Sequence, residues 1–135
     1  MRAMRIVRLS SGSTFEDLAG YVRAVRVEHD GWAEVLVSGC TGFDYSSMTI
    51  AEDASAQVRQ AFANVEAALA TAGGGLEHLV RVRYFITDMG LWPELARIAG
   101  DCLRASLPAA TCLVCGLIDP RMKVEIEADA RIPGR

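Results

Sequence analysis

Residues 108–130, PAATCLVCGLIDPRMKVEIEADA, restrict the fold more than any other part of the chain. The second half alternates strictly. Val124, Ile126, Ala128 and Ala130 fall on one side of an extended chain, and Glu125, Glu127 and Asp129 on the other. This pattern predicts a strand over residues 123–132 with one face against an apolar core. Residues 109–117 are apolar on both faces, which predicts a strand covered on both sides. Between them Ile118-Asp119-Pro120-Arg121 supplies turn chemistry, Pro fixing one backbone angle. The expectation is two strands joined by a tight turn. Same-face carboxylates on a strand lie about 7 Å apart and repel one another. Such a row needs solvent, basic partners or a ligand, and any chemistry is expected beside it.

The rest of the chain supplies layers for these strands. Residues 5–9 read as a short strand and the following SSGSTFED as a polar loop. Residues 21–28 and 32–38 form a hairpin pattern around Asp30-Gly31, a turn that Gly suits because it tolerates positive φ. Gly39 and Gly42 in SGCTG, at the end of that second strand, permit close backbone approach. Thr49 and Glu52 fit a capping box for a helix running to about Ala72. Val58, Phe62, Val65, Leu69 and Ala72 form its apolar stripe, and Gly73-Gly74-Gly75 ends it. Residues 79–87 read as a strand with Val80, Val82, Tyr84 and Ile86 on one face, Arg81, Arg83 and Phe85 on the other. A second helix is expected over residues 92–106, with Pro93 in its first turn and Leu95, Ile98 and Cys102 inward.

This order predicts a single α+β domain over residues 1–135, a two-layer fold with a mixed sheet packed on two helices. The helices can cover one sheet face. The other keeps Phe85 and Leu113 beside the carboxylates, which points to burial against other subunits. With 135 residues, 51% of them apolar, and a net charge of −3, the chain lacks the electrostatic footprint of a nucleic-acid binder. No apolar run approaches the length of a membrane span. The N-terminal MRAMRIVRL has no apolar core or cleavage site of an export signal, so a cytoplasmic location is expected. Cys40, Cys102, Cys112 and Cys115 are then thiols. Cys112 and Cys115, three apart on a strand, would face opposite ways, and His29 and His78 lack ligand spacing. Neither a metal nor a cofactor is expected.

Several segments in this order resemble one known family. AGYVRAV, VSGCTG, QAFANVEAALATAGGGLEHLVRVRYFITD and the closing PAATC…EIEADA are similar to the Rid family. Its members are small trimeric imine/enamine deaminases, also labelled L-PSP endoribonucleases. The resemblance implies a chorismate-mutase-like fold and a homotrimer with small-molecule clefts between subunits. It also implies that Glu125 holds the water attacking an imine. Tyr21 would wall the cleft, Gly39 would offer backbone to the ligand, and Cys112 would line the pocket. The family's deaminases carry Arg directly after the Pro-Ala pair, to grip a substrate carboxylate with a planar fork. This chain has Ala110 there. Arg121 cannot substitute within one chain, being about 23 Å away at roughly 3.3 Å per strand residue.

The residue types alone leave other readings open. The carboxylates could pair with Arg81 and Arg83, Tyr21 could be an ordinary strand aromatic, and Gly39 could simply end a strand. The expected function is binding or hydrolysis of imine, enamine or carbonyl metabolites that lack a carboxylate. A binding or chaperone-like trimer without turnover is the alternative. Endoribonuclease activity is disfavoured by the acidic balance.

Overall fold

The computed structural model describes residues 4–134; the start of the MRAMRIVRL stretch read for an export signal lies outside the described residues. In chain order the elements are β1 (Arg5–Leu9), α1 (Thr14–Ala19), β2 (Ala24–His29), β3 (Trp32–Thr41), β4 (Phe43–Asp44) and β5 (Thr49–Ile50). They continue with α2 (Ala54–Thr71), β6 (Leu79–Ile86), α3 (Trp92–Cys102), β7 (Ala109–Val114) and β8 (Val124–Pro133). Six strands form one sheet in the order β1-β2-β3-β8-β6-β7. Every neighbouring pair is antiparallel except β6 with β7. A sheet of mixed sense backed by two longer helices is the expected α+β architecture.

The stripe read from the sequence is the buried side of α2: Val58, Phe62, Val65 and Leu69 are all in the core, as is Ala72 at the helix end. Each of the four larger side chains contributes about 1.5–3 kcal/mol on leaving water. The start of α2 differs from expectation. Asp53 is the cap, accepting from the Ala56 amide at 2.9 Å, while Thr49 lies in the small β4–β5 ribbon. The C-terminal end is as expected: Gly73 turns left-handed at φ 90 and the Gly74 amide returns to the Leu69 carbonyl at 2.8 Å. The segment read as a polar loop contains α1. Ser13 caps it in a reciprocal box with Glu16, the arrangement that Thr49 and Glu52 do not make.

β8 shows the expected alternation. Val124, Ile126, Ala128, Ala130 and Ile132 are buried on the helix side, and Glu125, Glu127 and Asp129 sit half-buried on the open face. β7 corrects two expectations. It is not paired with β8; β6 lies between them, and the connection crosses over that strand. Nor is β7 covered on both sides, for it is the sheet's edge and Cys112 alone in it packs on the core. An apolar sequence on both faces fits a fully covered strand and an edge strand alike when the edge's covering comes from outside the chain. The connection is anchored by buried Gln57 of α2. Its Nε2 donates to the carbonyls of Ala51 and Arg121, both at 2.8 Å, and its Oε1 accepts from the Lys123 amide at 2.9 Å.

In β6 a register break between Leu79 and Arg81 turns Leu79 inward with Val82, Tyr84 and Ile86. Val80, expected on that face, is exposed instead. α3 ends at Cys102 rather than at residue 106, and its Leu95 and Ile98 are buried as expected. None of the helices among the described residues is long and apolar enough to cross a membrane.

Candidate functional site

The site begins with an irregularity in β3. Against β8, Val37 pairs with Ala128 but Cys40 pairs with Ile126, so β3 carries one extra residue at Ser38-Gly39. Such a bulge bends the strand and leaves a residue unpaired. Here it carries Gly39 under the side chain of Glu125. A Cβ at Gly39 would lie 2.6 Å from Cδ of Glu125 and 2.9 Å from its Oε1. Only a glycine leaves that space free.

Glu125 differs from the other two members of its row. Arg83 on β6 pairs with Glu127 at 3.0 Å and reaches Asp129 at 3.9 Å, which is the structural pairing foreseen for these carboxylates. No described residue hydrogen-bonds or ion-pairs with the carboxylate of Glu125. Burial pushes its pKa up, the charge of Glu127 pushes the same way, and Arg23 opposes both.

Arg23, just ahead of β2, is the cation in this cluster, and its side chain is 3% exposed. Nη1 donates to the Gly39 carbonyl at 2.6 Å, while Nε and Nη2 reach the hydroxyls of Ser11 and Ser13 at 3.4 Å. Its charge is balanced by Glu16 at 3.6 Å and lies over the ring of Tyr45 at 4.1 Å. Burial works against ionisation of Glu16, but hydrogen bonds from Ser11 and Ser13 outweigh it and hold its pKa at about 2. Burial pushes the Cys40 thiol up to about 12 despite Arg23, so it stays protonated at neutral pH. Tyr21 lies at the rim, its ring 5.7 Å from the guanidinium, and lines a cleft of ≈ 540 Å³ with Glu16, Gly20, Val25 and Ser38.

Ala110 and Cys112 are elsewhere. On β7 they stand beside Val82 and Tyr84 of β6, residues of the helix side, whereas Glu125 stands beside Phe85 of the open face. Cys112 lines a separate cleft of ≈ 300 Å³ with Ile86, Met89, Trp92 and Val114, and none of these side chains is charged. Burial raises the Cys112 thiol above its ordinary pKa. The structure therefore brings Tyr21, Gly39 and Glu125 together around Arg23, and leaves Ala110 and Cys112 on the opposite face two strands away. Arg121 is occupied at its turn by Asp119, at 2.8 Å.

Arg23 and Glu16 were missed by the sequence reading. Ser13 and Glu16 carry the spacing of a capping box, which could have revealed the helix; nothing local to Arg23 announces that it is buried.

The family model Endoribonuclease L-PSP matches residues 12–132. Among solved structures, the chain is similar to Rv2704 of Mycobacterium tuberculosis, a member of the YjgF/YER057c/UK114 family. That match has 36% identity and a TM-score of 0.83 and covers 95% of this chain and 100% of that one. RidA from an Antarctic Psychrobacter is similar at 28% identity and a TM-score of 0.77, covering 93% and 94% of the two chains. Yeast Mmf1, at 21% identity and a TM-score of 0.80, covers 97% and 100% and shares the fold. The capped α1, the bulged β3 and the β8 carboxylate row thus belong to a member of the YjgF/Rid (endoribonuclease L-PSP) family.

Proposed function

We propose that the chain assembles as a homotrimer whose inter-subunit clefts bind and hydrolyse small imines or enamines that carry no carboxylate. The observation that supports this most is Glu125: a half-buried carboxylate with no hydrogen-bond or ion-pair partner among the described residues, raised in pKa and seated on a glycine. A carboxylate shifted toward neutrality is a better general base than an ordinary one. Glu125 would take a proton from water as its oxygen adds to the C=N carbon. The C=N electron pair takes that proton from Glu125 as an N–H bond, giving a neutral carbinolamine. Glu125, again ionised, then removes the hydroxyl proton and delivers it to the nitrogen as the C–N bond breaks, so that ammonia or an amine leaves and the carbonyl forms. An enamine would first tautomerise to the imine.

Assembly is supported by the uncovered face. Leu36 and Leu113 on it are 42% and 54% exposed, more than an isolated sheet face comfortably leaves in water. The two half-sites on opposite faces of one chain also become a single pocket when β7 of one subunit closes over Glu125 of the next. The uncharged β7 cleft and Ala110 support the choice of substrate, because nothing there can clamp an anion.

The test is ammonia release from an alkyl imine generated in situ by an amine oxidase, compared with 2-aminoacrylate. Fast release from the first, slow release from the second and loss of both in Glu125→Gln are expected. Fast turnover of 2-aminoacrylate would overturn the substrate assignment. Saturable binding without product would favour a non-catalytic metabolite binder, a reading that Ala110 also supports. RNA cleavage is disfavoured by the net charge of −3.

A further inference from the structure

Glu125 is seated on Gly39, and the Gly39 carbonyl is in turn held by a buried cation. We propose that Arg23 is the positioning residue for Glu125: by gripping the Gly39 carbonyl it fixes the bulge on which the carboxylate rests, and its charge keeps that carboxylate available as a base. The inference rests on the hydrolytic reading of Glu125 and adds a residue to it.

Three observations carry it. The bond from Nη1 to the Gly39 carbonyl, at 2.6 Å, is the shortest that Arg23 makes and ends on the residue whose side-chain space Glu125 fills. Arg23 does not reach Glu125 directly, so it acts through that backbone unit and through its field. Its remaining donors are directed at Ser11 and Ser13 and its charge is balanced by Glu16. With a side chain 3% exposed, the guanidinium is not a substitute for the anion clamp absent at Ala110; it serves the carboxylate, not the ligand.

The charged and titratable groups around Glu125 set the sign of the effect. Glu127 on the same strand repels, though Arg83 of β6 partly neutralises it. Cys40 on β3 is protonated and contributes no charge at neutral pH. Phe85, its partner on β6, is apolar. Arg23, from the segment before β2, is therefore the cation that holds down a pKa that burial raises. Glu16 of α1 offsets part of that field.

The first measurement needs no substrate. Carboxyl 13C NMR of Glu-labelled protein follows Glu125 through pH, the signal being assigned by its loss in Glu125→Gln. Arg23→Gln is expected to move the midpoint upward, and Arg23→Lys, which keeps the charge, to leave it near wild type. In an assay on the alkyl imine, loss of the grip on the Gly39 carbonyl in Arg23→Gln should lower kcat, outweighing any gain in basicity, with KM little changed. An unmoved midpoint in Arg23→Gln, or equal shifts in the Lys and Gln variants, would overturn the proposal. Should Arg23→Gln not fold, Glu16→Gln provides the reverse test. With the opposing charge gone the Glu125 midpoint should fall, and an unchanged midpoint would equally overturn it. If wild type hydrolyses nothing while the midpoints shift as expected, the hydrolytic reading fails and the coupling stands.

Discussion

The carboxylate of Glu125 occupies the space where a side chain on Gly39 would begin, 2.6 Å from the position of that missing Cβ. The contact is with the far end of a flexible side chain, so the strain of Gly39→Ala is relieved by swinging Glu125 away. Gly39→Ala is therefore expected to cost less than about 1 kcal/mol of stability while abolishing most imine hydrolysis. Urea titration and an ammonia assay on one preparation check both halves. A stable, fully active variant would contradict the placement of Glu125 as the base.

Glu125→Gln should separate function from stability in the opposite direction. Burial, then Glu127, raise the folded-state pKa above the ordinary value, so ionisation weakens the fold. The favourable contribution is present below the unfolded-state pKa and is lost as pH rises through the folded one. The variant should thus melt higher than wild type at pH 7 and at the same temperature as wild type well below pH 4. Thermal scans at the two pH values measure this.

Glu16 has the other sign. Its pKa falls from 4.5 to about 2, a difference worth on the order of 3 kcal/mol above pH 4.5 and lost as pH falls from there through about 2. Glu16→Gln is expected to lose that much at pH 7 and to converge on wild type in acid. Urea unfolding across pH gives the comparison.

Gln57 holds three backbone groups from two connections, at 2.8, 2.8 and 2.9 Å. Gln57→Ala removes all three bonds and leaves a void at a fully buried position, so it should cost about 2–4 kcal/mol. Hydrogen exchange of the Lys123 amide should accelerate with it.

Legibility followed the range of the forces involved. The α2 stripe and the β8 alternation are local periodicities imposed by one large core, and both were readable to within a residue or two. The misreading of β7 has a physical cause: apolar residues on both faces report that the strand is to be covered, not by what. Capping was read at Thr49 and missed at Ser13, because either pattern is satisfied by spacing alone and only the surrounding chain decides. Within the site, Gly39 and Glu125 were marked by their motifs. The buried Arg23–Glu16 pair was not, since burial of an ion pair depends on contacts distant in sequence. Val80 shows the same limit, for a single register break reverses the side on which a strand residue lies.

Glu125 and Ala110 face opposite ways on the same subunit, so in the proposed trimer lesions in the two halves should complement. Neither Glu125→Gln nor a bulky Ala110→Trp would hydrolyse imines alone. Co-refolded, every ring containing both kinds of subunit would hold one junction with two undamaged halves, so blending two dead preparations should restore turnover.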